Sequence, residues 1–417
     1  MTRDGNRSGP ALAGMRVVDM GRILAAPLAG QILADFGADV IKVERPGSGD
    51  EGRTYGPSCL VDANGKRTQE ASLYLSGNRN KRSITLDLSK PEAREVAKRL
   101  ISQADVLIEN FLPGTMKRFG LDYEAMAALN PRLVYCSITG YGQTGPYANR
   151  PGYDPIFQAQ SGMMQVTGHA DEEPGGGPMR VGPSVVDTAS AYSAAIAIMT
   201  ALLERERLSG RGQYIDVALL DTAMAMQAHL IQDHLVSGKP WPRKGTAGNG
   251  GHPARVYHCR DGVFYLSVGN DKFYASLCTV LKRSDLIADP RFATGSQRYA
   301  NRQVWDSIAE PLFMQWALHD LLEALDRAGV PAGAVNTYGE AFADPHVVHR
   351  GIRQTVPHPL GTNGELAIVA NPSRLTRTPA TYERRPPLLG EHTESVLQEW
   401  LGLEQESIER LRRANAV

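Results

Sequence analysis

The stretch RVVDMGRILAAPLAGQILADFGADVIKVE, Arg16 to Glu44, decides the fold. A short apolar run, RVVDM, leads into the helical pattern PLAGQILADFG and then into a second apolar run, DVIKVE. Strand, helix and strand in that order form a βαβ unit, and the alternation continues downstream. SITLDL reads as a strand, and PEAREVAKRLISQA as a helix with Pro91 in its favourable first turn. DVLIEN, Asp105 to Asn110, and RLVYCSIT read as further strands, separated by the helical segments PGTMKRFG and DYEAMAALN. Strands alternating with helices predict a mainly parallel sheet covered on both faces: a large doubly wound, Rossmann-like α/β domain.

Beyond it, Tyr141 to Val186 is rich in Gly and Pro and reads as long ordered loops with one helix around Asp154 to Met163. Thr188 to Arg207 is the strongest helical pattern, RGQYIDVAL returns as a strand, and Asp221 to Leu235 is helical again. The composition shifts at Ser237 to Pro253, a Gly/Pro-rich linker, after which ARVYHC and GVFYLSVG form a hairpin around Asp261 and Gly262. Helical patterns from Lys272 and from Trp305 to Gly329 complete a smaller α+β domain. The predicted division is 1–225 for the large domain, 226–345 for the linker and small domain, and 346–417 for a segment returning to the large one. Within that last segment Val356 to Leu389, rich in Pro, reads as extended chain running back over the first domain.

A chain of 417 residues suits two domains. Its 45 basic and 45 acidic residues cancel, which argues against nucleic acid or a membrane surface as partner. Four scattered cysteines without a C-x-x-C pair indicate neither a disulfide scaffold nor a zinc knuckle, and fit a reduced, cytoplasmic setting. The first residues, MTRDGNRSGP, lack an apolar targeting core, and no stretch approaches an uncharged membrane span. GRILAAPLAG lacks the dinucleotide fingerprint, and no P-loop occurs, so neither a hydride enzyme nor an ordinary NTPase is supported. The ten histidines include no H-E-x-x-H, and no metal site is expected.

Asp187, at the end of RVGPSVVD, is the most informative residue. Aspartate at the start of a helix is a common N-cap, or it can be a nucleophile presented at the helix's positive end. Small neighbours, Gly182, Pro183, Thr188, Ala189, Ser190 and Ala191, leave room around it for a close-approaching ligand. Basic residues cluster at predicted strand ends: Lys42 and Arg45, then Arg79, Lys81 and Arg82, then Lys117 and Arg118 beyond Asn110 and Phe111. Singly each reads as a solvated charge; together they suggest a phosphate-bearing ligand with an adenine, and Arg45, Lys81, Arg82, Asn110, Phe111 and Arg118 are its candidate contacts. GTAGNGG, Gly245 to Gly251, is either a flexible linker or a flap. As a flap, backbone N–H groups at Gly248, Gly250 and Gly251 would stabilise an oxyanion on the substrate.

These motifs add up. Over nearly its whole length the chain resembles the class III coenzyme A transferases, the formyl-CoA transferase and carnitine CoA-transferase (CaiB/BaiF-like) family. The resemblance rests on Arg16 to Asp50, NKRSITLDL, DVLIENFLPGTMKRFGLDYEAM, SITGYGQTGPYANRPGYDPIFQAQSGMM, VGPSVVD and SGRGQYIDVALLD, with FADPHVVHRG and PPLLGEHT near the end. It implies a large domain built from both chain ends and two subunits threaded through each other as an interlocked homodimer. It also implies that Asp187 matches the catalytic aspartate that attacks the acyl-CoA thioester, and that Arg45 and Arg118 match coenzyme A contacts. Leu24 departs from the family pattern, since formyl-CoA transferase has a glutamine there, which makes formyl and oxalyl substrates doubtful.

The expected activity is transfer of CoA from an acyl-CoA donor to a carboxylic acid through an aspartyl mixed anhydride and an aspartyl-CoA thioester. Coenzyme A thioester is a co-substrate, and no tightly bound cofactor is expected. With an ordinary pKa of about 4, Asp187 would be ionised near neutrality and need no base. An α-methylacyl-CoA racemase is the nearest rival. Racemases of this family carry His where this chain has Tyr153, however, and a tyrosine is a poor base, so Tyr153 reads as a substrate contact or as packing at a helix start. A non-catalytic CoA-binding protein is the alternative of another class. The late segments SVGNDKFYASLC and AGVPAGAVNT resemble members using succinyl-CoA and dicarboxylates; Arg255 would then pair with a distal carboxylate, or it is an exposed strand charge.

Overall fold

In the computed structural model, which describes residues 9–62, 64–248 and 251–417, the opening stretch forms strand β1 (Arg16–Asp19), the helix Ala25–Asp35 and strand β2 (Asp39–Glu44). The helix closes where Gly37 turns to φ 95°, a conformation a side chain resists. The Ala38 N–H then returns to the Leu33 carbonyl at 3.2 Å. A hairpin of β3 (Cys59–Val61) and β4 (Arg67–Ala71), in a stretch to which the sequence assigns no element, interrupts the alternation. The main sheet continues with β5 (Lys81–Thr85), β6 (Val106–Glu109), β7 (Val134–Thr139) and β8 (Tyr214–Ala218).

Its order is β5-β2-β1-β6-β7-β8, and every pairing is parallel. Winding therefore reverses between β1 and β6, and the loops that follow those two strands flank a crevice of the kind that binds ligands in doubly wound sheets. The strands are near-continuous apolar runs because both faces are covered. On one face Val17, Val106, Val134 and Cys136 pack under Ala26, Leu33, Ala194 and Ile198 of two helices. On the other, Val18, Ile41, Leu107 and Tyr135 pack under Val96, Leu100, Val396 and Trp400.

The helix Val185–Glu204 is the longest element, and with its continuation to Ser209 it is apolar and long enough by composition to cross a membrane, contrary to the sequence reading. Its inner face is core: Val186, Ala191, Ala194, Ile198 and Leu202 are buried in the first layer. The predicted helix Asp221–Leu235 is two helices, Leu219–Ala225 and Ala228–Ser237. Ala228 sits at φ 38° between them.

The chain divides into two units, 1–163 with 181–238 and 348–417, and 164–180 with 239–347. The sequence boundary at 225 falls short, because the Ala228–Ser237 helix goes with the first unit and the Gly/Pro-rich shift after Ser237 is the true seam. Residues 164–180 belong to the second unit: Arg243 donates to the carbonyls of Gln165 and His169 and to the Asp171 carboxylate. The second unit holds the sheet β11-β10-β9 (β9 Ala254–Cys259, β10 Gly262–Ser267, β11 Ala332–Ala334). Its core centres on Trp305, Phe264, Phe313 and Leu321.

In the C-terminal segment, part of the predicted extended chain is instead a hairpin of β12 (Arg353–Thr362) and β13 (Glu365–Val369). The rest does run along the first unit: the Asn80 N–H reaches the Arg384 carbonyl, and the His392 N–H reaches Ser83, at 2.9 and 2.8 Å. Arg53 anchors it, donating to Glu44, Glu70 and Tyr74 and to the carbonyl of Pro387 while fully buried. Arg53→Met strands two buried carboxylates, so we expect a loss of about 3–5 kcal/mol of stability. Urea unfolding of the two proteins measures it.

Candidate active site

The crevice between β1 and β6 rests on buried charge. Asp19 ends β1 and accepts the Gly21 N–H at 2.8 Å and the Lys81 ammonium at 2.7 Å. Lys81 also donates to the Pro27 carbonyl and to Asn78. Lys42 donates to the Gly21 carbonyl and, at 2.8 Å, to Asp50, whose other oxygen takes the Ile23 N–H at 2.9 Å. Ile23 is thereby held at φ 68°, a left-handed conformation that a β-branched residue does not adopt unforced. Strain of that kind persists only where the surrounding structure over-determines it, as these hydrogen bonds do.

This network corrects part of the basic cluster. Lys81 is fully buried, and burial foremost, with Lys42 beside it, pulls its pKa down to about 8 although Asp19 opposes. Arg82 is bidentate on Asp39 and bonded to Glu399, and its side chain is 8% exposed. Arg79 is bidentate on Asp35. Lys42, Lys81, Arg82 and Arg79 are each paired with a carboxylate and have no charge free for a ligand; that pairing is invisible in a list of lysines and arginines. Arg45 and Arg118, by contrast, are exposed, and among the described residues neither is in a salt bridge. Asn110 clamps the crevice, accepting the Arg22 N–H and donating to the Arg22 carbonyl, both at 2.8 Å. Phe111 lies under the Arg22 guanidinium, 4.8 Å from ring centroid to carbon. A cavity of about 580 Å³ next to Phe111 is lined by Glu109, Lys117, Tyr123, Gln143 and Tyr214.

Asp187 is not the N-cap of its helix. Ser184 holds that place without a side-chain bond, and Asp187 sits in the first turn after Val185 and Val186. The capping oxygen comes from elsewhere: Asp154, at the start of the helix Asp154–Gln160, accepts the N–H of Val186 at 2.7 Å and of Asp187 at 3.1 Å. Gln158 bonds the other Asp154 oxygen at 2.6 Å. Among the described residues no hydrogen bond reaches the Asp187 carboxylate itself. Burial first, and then the neighbouring Asp154 charge, push its pKa up to about 7. This corrects the expectation of an ordinary, always ionised carboxylate: desolvation outweighs the helix dipole.

In the first unit, Tyr153 precedes Asp154 and is 69% exposed. In the second unit, the Gly248 N–H is already bonded to the Ala254 carbonyl at 2.7 Å, so it is no free oxyanion donor. Gly251 adopts φ 118°, and Gly250 lies outside the described residues. Arg255 is bonded to Asp306 at 2.8 Å and faces Glu310 at 3.5 Å, which removes it as a ready partner for a substrate carboxylate. Among the described residues no group of His, Cys, Asp and Glu has the make-up of a metal site.

The family model described as CoA-transferase family III matches residues 12–393. The chain belongs to CoA-transferase family III. The transferase is 44% identical to the succinate-glutarate CoA-transferase of Agrobacterium fabrum over 96% of this chain and 98% of that one. It is 36% identical to the succinyl-CoA:glutarate CoA-transferase of Homo sapiens over 97% and 90%. Its fold matches the crystal structure of a CAIB/BAIF family protein from Brucella suis with a TM-score of 0.84 and 41% identity, over 94% and 100% of the two chains.

Two residues of the transferase escaped the sequence reading. Asp154 stood beside Tyr153 in GYDP, but an acid followed by Pro155 looks like an ordinary helix start, and nothing in sequence ties it to a helix 33 residues on. Arg22 lies in the same loop as Leu24, and nothing in the sequence shows its guanidinium over the Phe111 ring. The shift at Asp187 has a thermodynamic sign. The folded chain holds the proton up to about 7 whereas the ordinary value is 3.8, so Asp187 costs stability increasingly as pH rises through that window and costs most above it. Asp187→Asn should therefore melt higher than the parent at pH about 8, with the gap closing towards pH about 4. Thermal unfolding of both proteins across that range reads the difference.

Proposed function

We propose that the transferase moves coenzyme A from succinyl-CoA to a second dicarboxylic acid of the glutarate class, with Asp187 as the acyl carrier. The observation that carries the reading is the Asp187 carboxylate: on the first turn of a helix, half-buried, without a hydrogen bond of its own, and raised to about 7. A desolvated carboxylate is a stronger nucleophile than a hydrated one. The substrates are those in the names of relatives aligned over nearly the full length of both chains.

One Asp187 oxygen attacks the donor carbonyl; the C–O bond forms, the C–S bond breaks, and CoA leaves as thiolate with the electron pair. The thiolate attacks the aspartyl carbonyl of the mixed anhydride and releases succinate. The acceptor carboxylate then attacks the aspartyl thioester, thiolate leaves again, and its attack on the new acyl group regenerates the Asp187 carboxylate. Charge is conserved at each step, so no proton need be moved. Arg45, which follows β2, and Arg118, on the helix after β6, are exposed cations that would hold coenzyme A phosphates.

With succinyl-CoA and glutarate, Asp187→Ala should abolish transfer while CoA still binds, and hydroxylamine added during turnover should leave a hydroxamate on Asp187 detectable by peptide mass spectrometry. Near-parental turnover by the alanine variant would sink the scheme, and a panel of other acids tests the acceptor class.

The resemblance also implies an interlocked homodimer, and the outer face of the Asp187 helix supports a paired state. Tyr192, Ile196, Met199 and Leu203 recur at helical spacing and are 41–68% exposed, a stripe a lone subunit would leave wet. Light scattering should give the mass of two 45.3 kDa chains for the parent. Ile196→Asp combined with Leu203→Asp should reduce it to one.

A further inference from the structure

A helix that begins with an acid in its third position ordinarily uses that acid. In the capping box the side chain at this place folds back on the N-cap N–H while the N-cap side chain takes the N–H of the third residue. Asp187 stands in that third position, and Ser184 at the N-cap. Neither half of the box is made: the Ser184 side chain caps nothing, and the Asp187 N–H goes to Asp154.

We infer that Asp154 is the positioning residue of the nucleophile: by capping the Asp187 helix from another element it releases the Asp187 carboxylate from capping and sets a second negative charge beside it. This deepens the proposed function and rests on its reading of Asp187 as the acyl carrier. Asp154 is suited to the task. It is 2% exposed, one oxygen takes both N–H groups, and the other is fixed by Gln158, whose own oxygen receives the Val181 N–H at 2.9 Å. The approach to the helix and its first turn are thus tied to one buried carboxylate.

The charge has a separate effect. The elements packed on the Asp187 helix are the helices Ala25–Asp35, Asp154–Gln160 and Leu219–Ala225 with strands β7 and β8, and the helix itself runs on through Arg205, Glu206 and Arg207. Their charged and titratable groups are Asp35, Asp154, Asp221, Tyr135, Cys136, Tyr214 and Asp216. Of all these only Asp154 bears on the Asp187 charge. It repels the ionised form, so the carboxylate that remains is more basic and more ready to attack an acyl carbon.

Two variants separate the roles. Asp154→Asn keeps a capping oxygen and removes the charge; Asp154→Ala removes both. In CoA transfer from succinyl-CoA to glutarate, the acidic limb of kcat/KM should move down by about half a pH unit or more in Asp154→Asn, since a like charge has been taken away. Asp154→Ala should lose about 100-fold in kcat while KM for the donor changes less than about threefold, the split expected when the reacting group and not ground-state binding is disturbed. A purely structural Asp154 would lower the melting temperature and leave the limb where it was. An unmoved limb in Asp154→Asn overturns the inference, and so does parental kcat in Asp154→Ala; should the alanine variant not fold, the asparagine variant decides alone. Hydroxylamine trapping on the parent keeps the two claims apart. No label on Asp187 defeats the carrier reading, whereas a labelled parent with an unmoved limb defeats only the role of Asp154.

Discussion

Four buried charges under one loop hold the working edge of the sheet. Lys42 and Lys81 rise from neighbouring strands, Asp19 ends the first strand and Asp50 comes from the turn after the second, and all four are at most 2% exposed. Burial works against the Lys42 ammonium, yet Asp50, Asp19 and Glu44 together keep its pKa above the ordinary value. Each charge also makes a hydrogen bond to backbone between Gly21 and Pro27, so the loop is tied down at Gly21, Ile23 and Pro27. Gly21 is required there, since a Cβ would lie 2.3 Å from that of Ala26. A web of this sort contributes little net stability compared with an apolar core, but breaking one member is costly, which makes it a good device for fixing a strained segment.

The architecture was legible because period and punctuation agreed. Each central strand carries a short apolar run, and the βαβ alternation from Arg16 to Thr139 allows few other topologies. Where the reading failed, the competing physics is specific. The β3–β4 hairpin has the polar sequence RTQEA in one strand, which no hydrophobic pattern reveals. The Asp221–Leu235 pattern kept its period across a break that only the backbone at Ala228 shows. Residues 164–180 were assigned by proximity in sequence, whereas Arg243 assigns them by hydrogen bonds formed over more than 70 residues.

The site proposed around Asp187 was legible in that residue and illegible in what supports it. Asp187 announces itself by small neighbours and a helix behind it. What tunes it does not: a cap donated by Asp154 looks, in sequence, like a cap for Asp154's own helix. The basic residues show the opposite error. Sequence counts Arg45, Lys81 and Arg82 alike, but Lys81 and Arg82 are paired with acids that were themselves unremarkable: Asp19 and Asp39 on neighbouring strands and Glu399 on a C-terminal helix. Charge reads as ligand-binding only after its pairing is known.

Because the last strands and helices of the first unit come from residues 348–417, that unit stays incomplete for most of the time a ribosome takes to make it. Its β5 edge waits for Arg384 and His392, and Arg53 waits 334 residues for the Pro387 carbonyl. The second unit, with a core drawn from residues 257–330, is ready earlier. Vectorial synthesis therefore completes the inserted unit before the one whose sequence brackets it, and the nascent chain must carry an open parallel sheet meanwhile, a state slow to close and prone to stray pairing.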